Sequence, residues 1–263
     1  MHPKIREKDA WVIDDIGGRS QFEDSHCLIL DFMDDPTRVF CGIFDGHSGR
    51  SVADLAAGSF SKAFQEFLMI GTPPAEALRK TFLKVDMEAV SLISGAVAVV
   101  FYIQERELFF ANAGDAELLL VSKRSHHKLT ELHRLTNQEE QMRVIKAGAK
   151  IIDPYVMLPN GHGLQCTRSL GDHDFRSIGV IPDPFVGSRQ LDSDDLWLIG
   201  ACDGLWDVIT SKEVAAISRR FTSAKSVVEA LHHEAIIERN TMDNLTIVAV
   251  RATRKPTSTT VKA

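Results

Sequence analysis

Residues 39–49 read VFCGIFDGHSG. The first six form a run dominated by valine, isoleucine and phenylalanine, with Cys41 and Gly42 between them, the composition of a buried strand. The run stops at Asp45-Gly46-His47, so a carboxylate and an imidazole stand at the end of a rigid element. The intervening glycine permits close backbone approach. The same juncture recurs outward along the chain. Residues 196–202 (LWLIGAC) run into Asp203-Gly204, and residues 108–113 (LFFANA) run into Gly114-Asp115. Asp243-Asn244 stands directly before the apolar stretch 245–251, and Glu23-Asp24 precedes another that begins at Cys27. One Asp-Gly is a common turn, and each of these junctures taken singly has that reading. Five acids at apolar strand ends predict a common cluster, because carboxylates brought together repel unless a cation neutralises them. An all-oxygen cluster suits hard octahedral ions such as magnesium or manganese.

Further strands are predicted at residues 11–16, 27–32, 96–103 and 117–122. Helical spacing appears over residues 49–69, where Val52, Leu55, Ala56, Phe60, Phe64, Phe67 and Leu68 share one face. A second helix opens at Pro73-Pro74 and carries Ala77, Leu78, Phe82, Val85 and Ala89 on one side. Residues 137–147, 211–221 and 223–238 complete the helical candidates. Strand groups mixed with paired helices predict an α+β fold. The expected form is a four-layer α-β-β-α sandwich, with two antiparallel sheets face to face and flanked by helices. One domain is expected over residues 1–253, with a polar, fraying tail at 254–263.

The chain has 263 residues and a formal net charge of −6, which argues against a nucleic-acid partner. No apolar run reaches the ~20 residues that span a bilayer, and the first residues lack a secretory apolar region. The four cysteines, Cys27, Cys41, Cys166 and Cys202, have no zinc spacing. Reduced, buried thiols are expected, in an intracellular setting, cytoplasmic with the nucleus also open. No membrane partner is expected, and a monomer is.

At these acids the sequence resembles the PP2C family of metal-dependent protein serine/threonine phosphatases. The likeness runs in order from Gly18-Arg-Ser-Gln-Phe-Glu23-Asp24-Ser-His26 to Asp45-Gly46-His47-Ser48-Gly49 and Ala111-Asn-Ala-Gly-Asp115. It continues through Leu129-Thr130, Glu140, Arg143 and Ala147-Gly148, then Thr167-Arg168-Ser169-Leu170-Gly171-Asp172. It closes with Ala201-Cys202-Asp203-Gly204-Leu205-Trp206-Asp207 and Asp243-Asn244-Leu245-Thr246. Any one of these motifs is weak alone; seven in order are specific.

The resemblance implies hydrolysis of phosphoserine and phosphothreonine in phosphoprotein substrates by a water shared between two magnesium or manganese ions. Asp45 would bridge the pair, Asp203 and Asp243 would complete one site, and Glu23 with the Gly46 carbonyl the other. Asp115 and Asp207, with Asp203, would take a third ion or support the site through water. Arg19 would clamp phosphate and His47 would serve as general acid, while Asp24 and His26 would orient the ligands. Glu140 and Arg143, three residues apart, read as a helix-surface pair. Ser48, residues 94–98 (SGAVA), Glu117, Leu132 and Leu135 depart from the family pattern, and the short stretch from Asp172 to Pro182 predicts a small substrate-side wall. These departures keep open a scaffold that binds without turnover; a phosphatase of small molecules is open too, because phosphoryl chemistry does not dictate the rest of the substrate.

Overall fold

In the computed structural model, residues 9–253 are described; residues 1–8 and the expected tail at 254–263 lie outside them. The strands are β1 (Ala10–Asp15), β2 (Ser25–Leu30), β3 (Arg38–His47), β4 (Gly95–Gln104), β5 (Glu107–Ala113), β6 (Glu117–Ser122) and β7 (His126–Lys128). After them come β8 (Lys150–Ile152), β9 (Tyr155–Met157), β10 (Gly163–Leu164), β11 (Leu170–Gly171), β12 (Phe185–Gln190), β13 (Asp195–Ala201) and β14 (Leu245–Arg251). The helices are α1 (Ser51–Met69), α2 (Pro74–Glu88), α3 (Gln138–Lys146), α4 (Asp203–Trp206), α5 (Ser211–Ser218) and α6 (Ala224–His233).

One sheet has the order β1-β14-β13-β6-β7, and the other has β12-β5-β4-β3-β2 with β11 added beside β4. Every named strand pair is antiparallel. Three apolar layers follow from the alternation of side chains along the strands. Ile43, Val99 and Phe101 face Leu118, Leu198 and Val248 across the space between the sheets. The opposite face of the β3-β4 sheet packs Phe40, Phe44 and Tyr102 against Phe60, Phe64 and Phe82 of α1 and α2. The outer face of the β13-β14 sheet packs Trp197, Ile199 and Ile247 against Val214, Val227 and Leu231 of α5 and α6. The expected four-layer sandwich is therefore the observed one.

Two local expectations shift. β3 extends to His47, so Asp45 and Gly46 lie within the strand, in register with Val97 and Ala96 of β4. The long helix expected at 223–238 ends at His233 and continues as a π-helical turn, Glu234–Glu238. A small third sheet, β10-β9-β8, was not anticipated; its three strands are at most three residues long, too short to show a period. None of the described helices is long and apolar enough to cross a membrane. Cys41, Cys166 and Cys202 are buried and Cys27 is half-buried; none forms a disulfide.

Candidate active site

Antiparallel pairing decides where the acids meet. The C-terminal ends of β3, β5 and β13 and the N-terminal ends of β2, β4, β6 and β14 all lie on one rim of the sandwich. Glu23 precedes β2, Asp45 lies among the last three residues of β3, Asp115 joins β5 to β6, Asp203 follows β13 and Asp243 precedes β14. Arg19, Glu23, Asp45, Gly46, His47, Asp115, Asp203 and Asp243 line one cavity of about 280 Å³. Asp207 stands beside it, in a shallower depression shared with Arg19, Asp203 and Asp243.

Short bonds hold these residues in place. The Asn244 side chain accepts from the Glu23 amide at 2.8 Å and donates to the carbonyls of Ile16 (2.9 Å) and Gln21 (3.0 Å). It thereby ties the Arg19–Glu23 loop to the residue that follows Asp243. Glu23 Oε1 accepts from the Gly49 amide at 2.5 Å. The turn after β13 is fixed by Trp206, whose indole N–H donates to the Ala201 carbonyl at 2.9 Å. Asn112 is buried and donates to the carbonyls of Gly114 and Glu131, which pins the loop carrying His133 and Arg134 against Asp115.

Crowding leaves its mark on protonation. Burial, then repulsion from Asp24, Asp203, Asp115 and Asp243, pushes the Asp45 carboxyl well above its ordinary value. Burial and the neighbouring Asp115 and Asp207 push Asp203 up to about 8, although Arg134 opposes them. Asp24 is carried to about 6, chiefly by burial. Its Oδ2 accepts from Thr246 Oγ1 at 2.7 Å, while its buried Oδ1 has no hydrogen-bond partner. Ligand atoms of Asp24, Asp45 and Cys202 lie within 4.8 Å of one another. The Cys202 thiol is already engaged: it donates to the Asn244 carbonyl (3.3 Å) and accepts from the Thr246 amide (3.1 Å). Burial drives it far from ionisation, so the usable donors are oxygens. A carboxylate cluster that resists ionisation, with an orphaned carboxylate oxygen at its base, fits hard divalent cations.

His47 is held from outside the cluster. Its Nε2 lies 2.8 Å from Asp172 Oδ2, which also accepts from Ser169 Oγ at 2.6 Å. A Cβ on Gly95 would collide with both His47 Nε2 and Asp172 Oδ2, so only glycine leaves room for the pair. Burial pulls the imidazole down, but the Asp172 charge and hydrogen bond outweigh it, and His47 titrates above its ordinary value. Arg19 is the exposed member; its guanidinium donates to Asp243 Oδ2 at 2.6 Å. His26 pairs with Asp14 at 3.2 Å.

Three positions differ from expectation. Glu140 is not a surface residue: it is buried and accepts from Arg143 (2.6 Å), Arg168 (2.7 Å) and Thr167 (2.7 Å). The i,i+3 spacing showed only its own helix. Arg134, with no assigned role in the sequence, sits among Asp115, Asp203 and Asp207, where a third ion or support through water was expected. A basic residue next to His133, in a loop returning to Asp115, was the available signal. Tyr155, Gly163 and Leu164 of the small sheet line the acidic cavity, and the short segment from Asp172 to Phe175 lines a neighbouring one with Gly163 and Leu164. Within the departing segment 94–98, Ser94 Oγ pairs with Ser51 Oγ (2.8 Å) and accepts from the Val52 amide (3.0 Å).

Comparison with known proteins identifies the family and the fold. The family description "Protein phosphatase 2C" matches residues 15–245. "Probable protein phosphatase 2C 27" of Arabidopsis thaliana is 29% identical over 255 residues, covering 89% of this chain and 66% of that protein, so the chain spans about two thirds of its length. "Protein phosphatase 2C homolog 1" of Saccharomyces cerevisiae is 29% identical over 254 residues, covering 88% of each. The solved serine-threonine phosphatase 2C from Toxoplasma gondii shares the fold, with a TM-score of 0.78 at 20% identity over 92% of this chain and 94% of that one. The order of the strand-end acids, the two-sheet sandwich and the match over most of the chain place this protein in the protein phosphatase 2C family.

Proposed function

We propose that this protein is a metal-dependent phosphatase of phosphoserine and phosphothreonine in proteins. The observation that carries the reading is the convergence of Glu23, Asp45, Asp203 and Asp243, from both sheets, on one cavity that also receives Arg19 and His47. Glu23, Asp45, the Gly46 carbonyl, Asp203 and Asp243 would hold two magnesium or manganese ions. When bound, such a pair neutralises the acids and lowers the pKa of the attacking water.

The chain's own residues do the rest. Arg19 is exposed and has one partner in the cavity, Asp243. Its planar fork can turn from that carboxylate to phosphate oxygens and stays charged throughout. Asp172 orients His47 through Nε2 and favours the imidazolium. The ring can then give the proton on its other nitrogen, Nδ1, to the departing serine or threonine oxygen. Tyr155 and Leu164 line one side of the cavity. Reduced thiols fit a cytoplasmic or nuclear setting.

The test is a manganese titration of phosphate release from phosphothreonine peptides, run beside Asp203→Asn. Turnover should require the metal, and the variant should lose on the order of 100-fold or more in kcat while remaining folded. Activity that survives full chelation would overturn the reading. Metal binding without turnover on a broad peptide panel would favour the scaffold alternative, and faster turnover of free phosphometabolites the small-molecule one.

A further inference from the structure

Arg134 makes an unusual set of bonds. Its Nε donates to Asp115 Oδ2 at 2.6 Å, and its Nη2 donates to Asp203 Oδ2 at 2.7 Å. Nη1 reaches both oxygens of Asp207, at 2.9 and 3.3 Å, and Nη2 adds a second contact to Asp207 Oδ2 at 3.3 Å. All three guanidinium nitrogens are thus committed, to three different carboxylates. The side chain is 15% exposed, against 58% for Arg19.

The backbone around it is equally fixed. The preceding His133 is fully buried, and its Nδ1 lies 3.1 Å from the Gly114 amide. Arg134 itself bridges to Cys166, and its carbonyl accepts from the Asn137 amide at 3.0 Å. Burial lowers the Arg134 pKa, but Asp115 and Asp207 outweigh it and leave the group more firmly protonated than usual.

We propose that Arg134 is a built-in counter-cation that takes the place of a third divalent ion among Asp115, Asp203 and Asp207. A cation entering there would have to strip three carboxylates from the guanidinium and then share the space with its positive charge. Asp203 remains able to serve the two-ion centre, because Arg134 engages one of its oxygens and Asp45 approaches from the other sheet. The inference rests on the metal-dependent reading above and assigns its ion count.

Calorimetric titration of the purified chain with manganese alone, by stoichiometry, tests it. The wild type should bind two ions, and so should Asp207→Asn. Arg134→Met, checked for folding by circular dichroism, should bind three. Three ions in the wild type falling to two in Asp207→Asn would overturn the proposal, as would two ions in a folded Arg134→Met. If Arg134→Met does not fold, the wild type and Asp207→Asn decide between these outcomes. A wild type that binds no manganese would instead overturn the metal reading itself.

Discussion

Ser48 carries a local conflict. It lies directly after β3 with φ at 57°, in the left-handed region, where a residue with a Cβ is strained by roughly 1–2 kcal/mol. Ser48→Gly relieves that strain but gives back part of the gain through the extra freedom of the unfolded chain. A net stabilisation of up to about 1 kcal/mol is expected, read as a raised urea midpoint at constant slope; a lowered midpoint would contradict it. Under the proposed mechanism Asp172 acts through His47, 2.8 Å away. Asp172→Asn keeps the shape but weakens its hold on the imidazolium, so kcat should fall about 10- to 100-fold. Manganese stoichiometry should stay unchanged, and an effect confined to KM would refute the assignment. Single residues were legible in the sequence where their chemistry is local. Asp45, Asp203 and Asp243 stand out because each abuts its own strand. Arg134 does not, because its three partners come from the β5–β6 turn and from α4 and the residue after it, distant in sequence.

At the scale of elements, α3 is anchored through one carboxylate. Glu140 joins the helix to Arg168 and Thr167, on the segment leading into Asp172. Burial alone would raise its pKa, but the bonds from Arg168, Arg143 and Thr167 hold it at about 2 against an ordinary 4.5. A carboxyl held below its unfolded value stabilises the fold fully above that value, and the contribution fades as pH falls toward about 2. The difference corresponds to roughly 3 kcal/mol. Wild-type thermal stability should therefore drop more steeply between about pH 5 and pH 3 than that of Glu140→Gln, which starts lower and lacks this titration. Parallel pH profiles would show the expectation to be wrong. Elements were readable from sequence when long. The 19-residue α1 and the 10-residue β4 display their periods plainly. β8, β9 and β10 and the π-helical end of α6 are set by tertiary contacts instead, which no window over the chain can see.

Across the whole molecule, the acids at the rim are a source of repulsion that divalent ions should relieve. Manganese at about 100 times its dissociation constant should contribute roughly 2.7 kcal/mol per ion. For a chain of this size that is a rise in Tm of about 5–10 °C per ion, reversed by chelation. A Tm insensitive to manganese would count against the metal centre. The sandwich itself was legible because its three apolar layers follow from strand alternation and helix faces; the side on which each layer closes was not. Asp45 belongs to one sheet, whereas Asp203 and Asp243 flank β13 and β14 of the other. Whatever binds all three also rivets two slabs that are otherwise joined by greasy side chains and a few polar links such as Thr246 to Asp24. Losing it should loosen that lip first, so amide deuterium uptake around residues 45–47 and 243–245 should quicken on chelation while the far ends of the same strands stay protected.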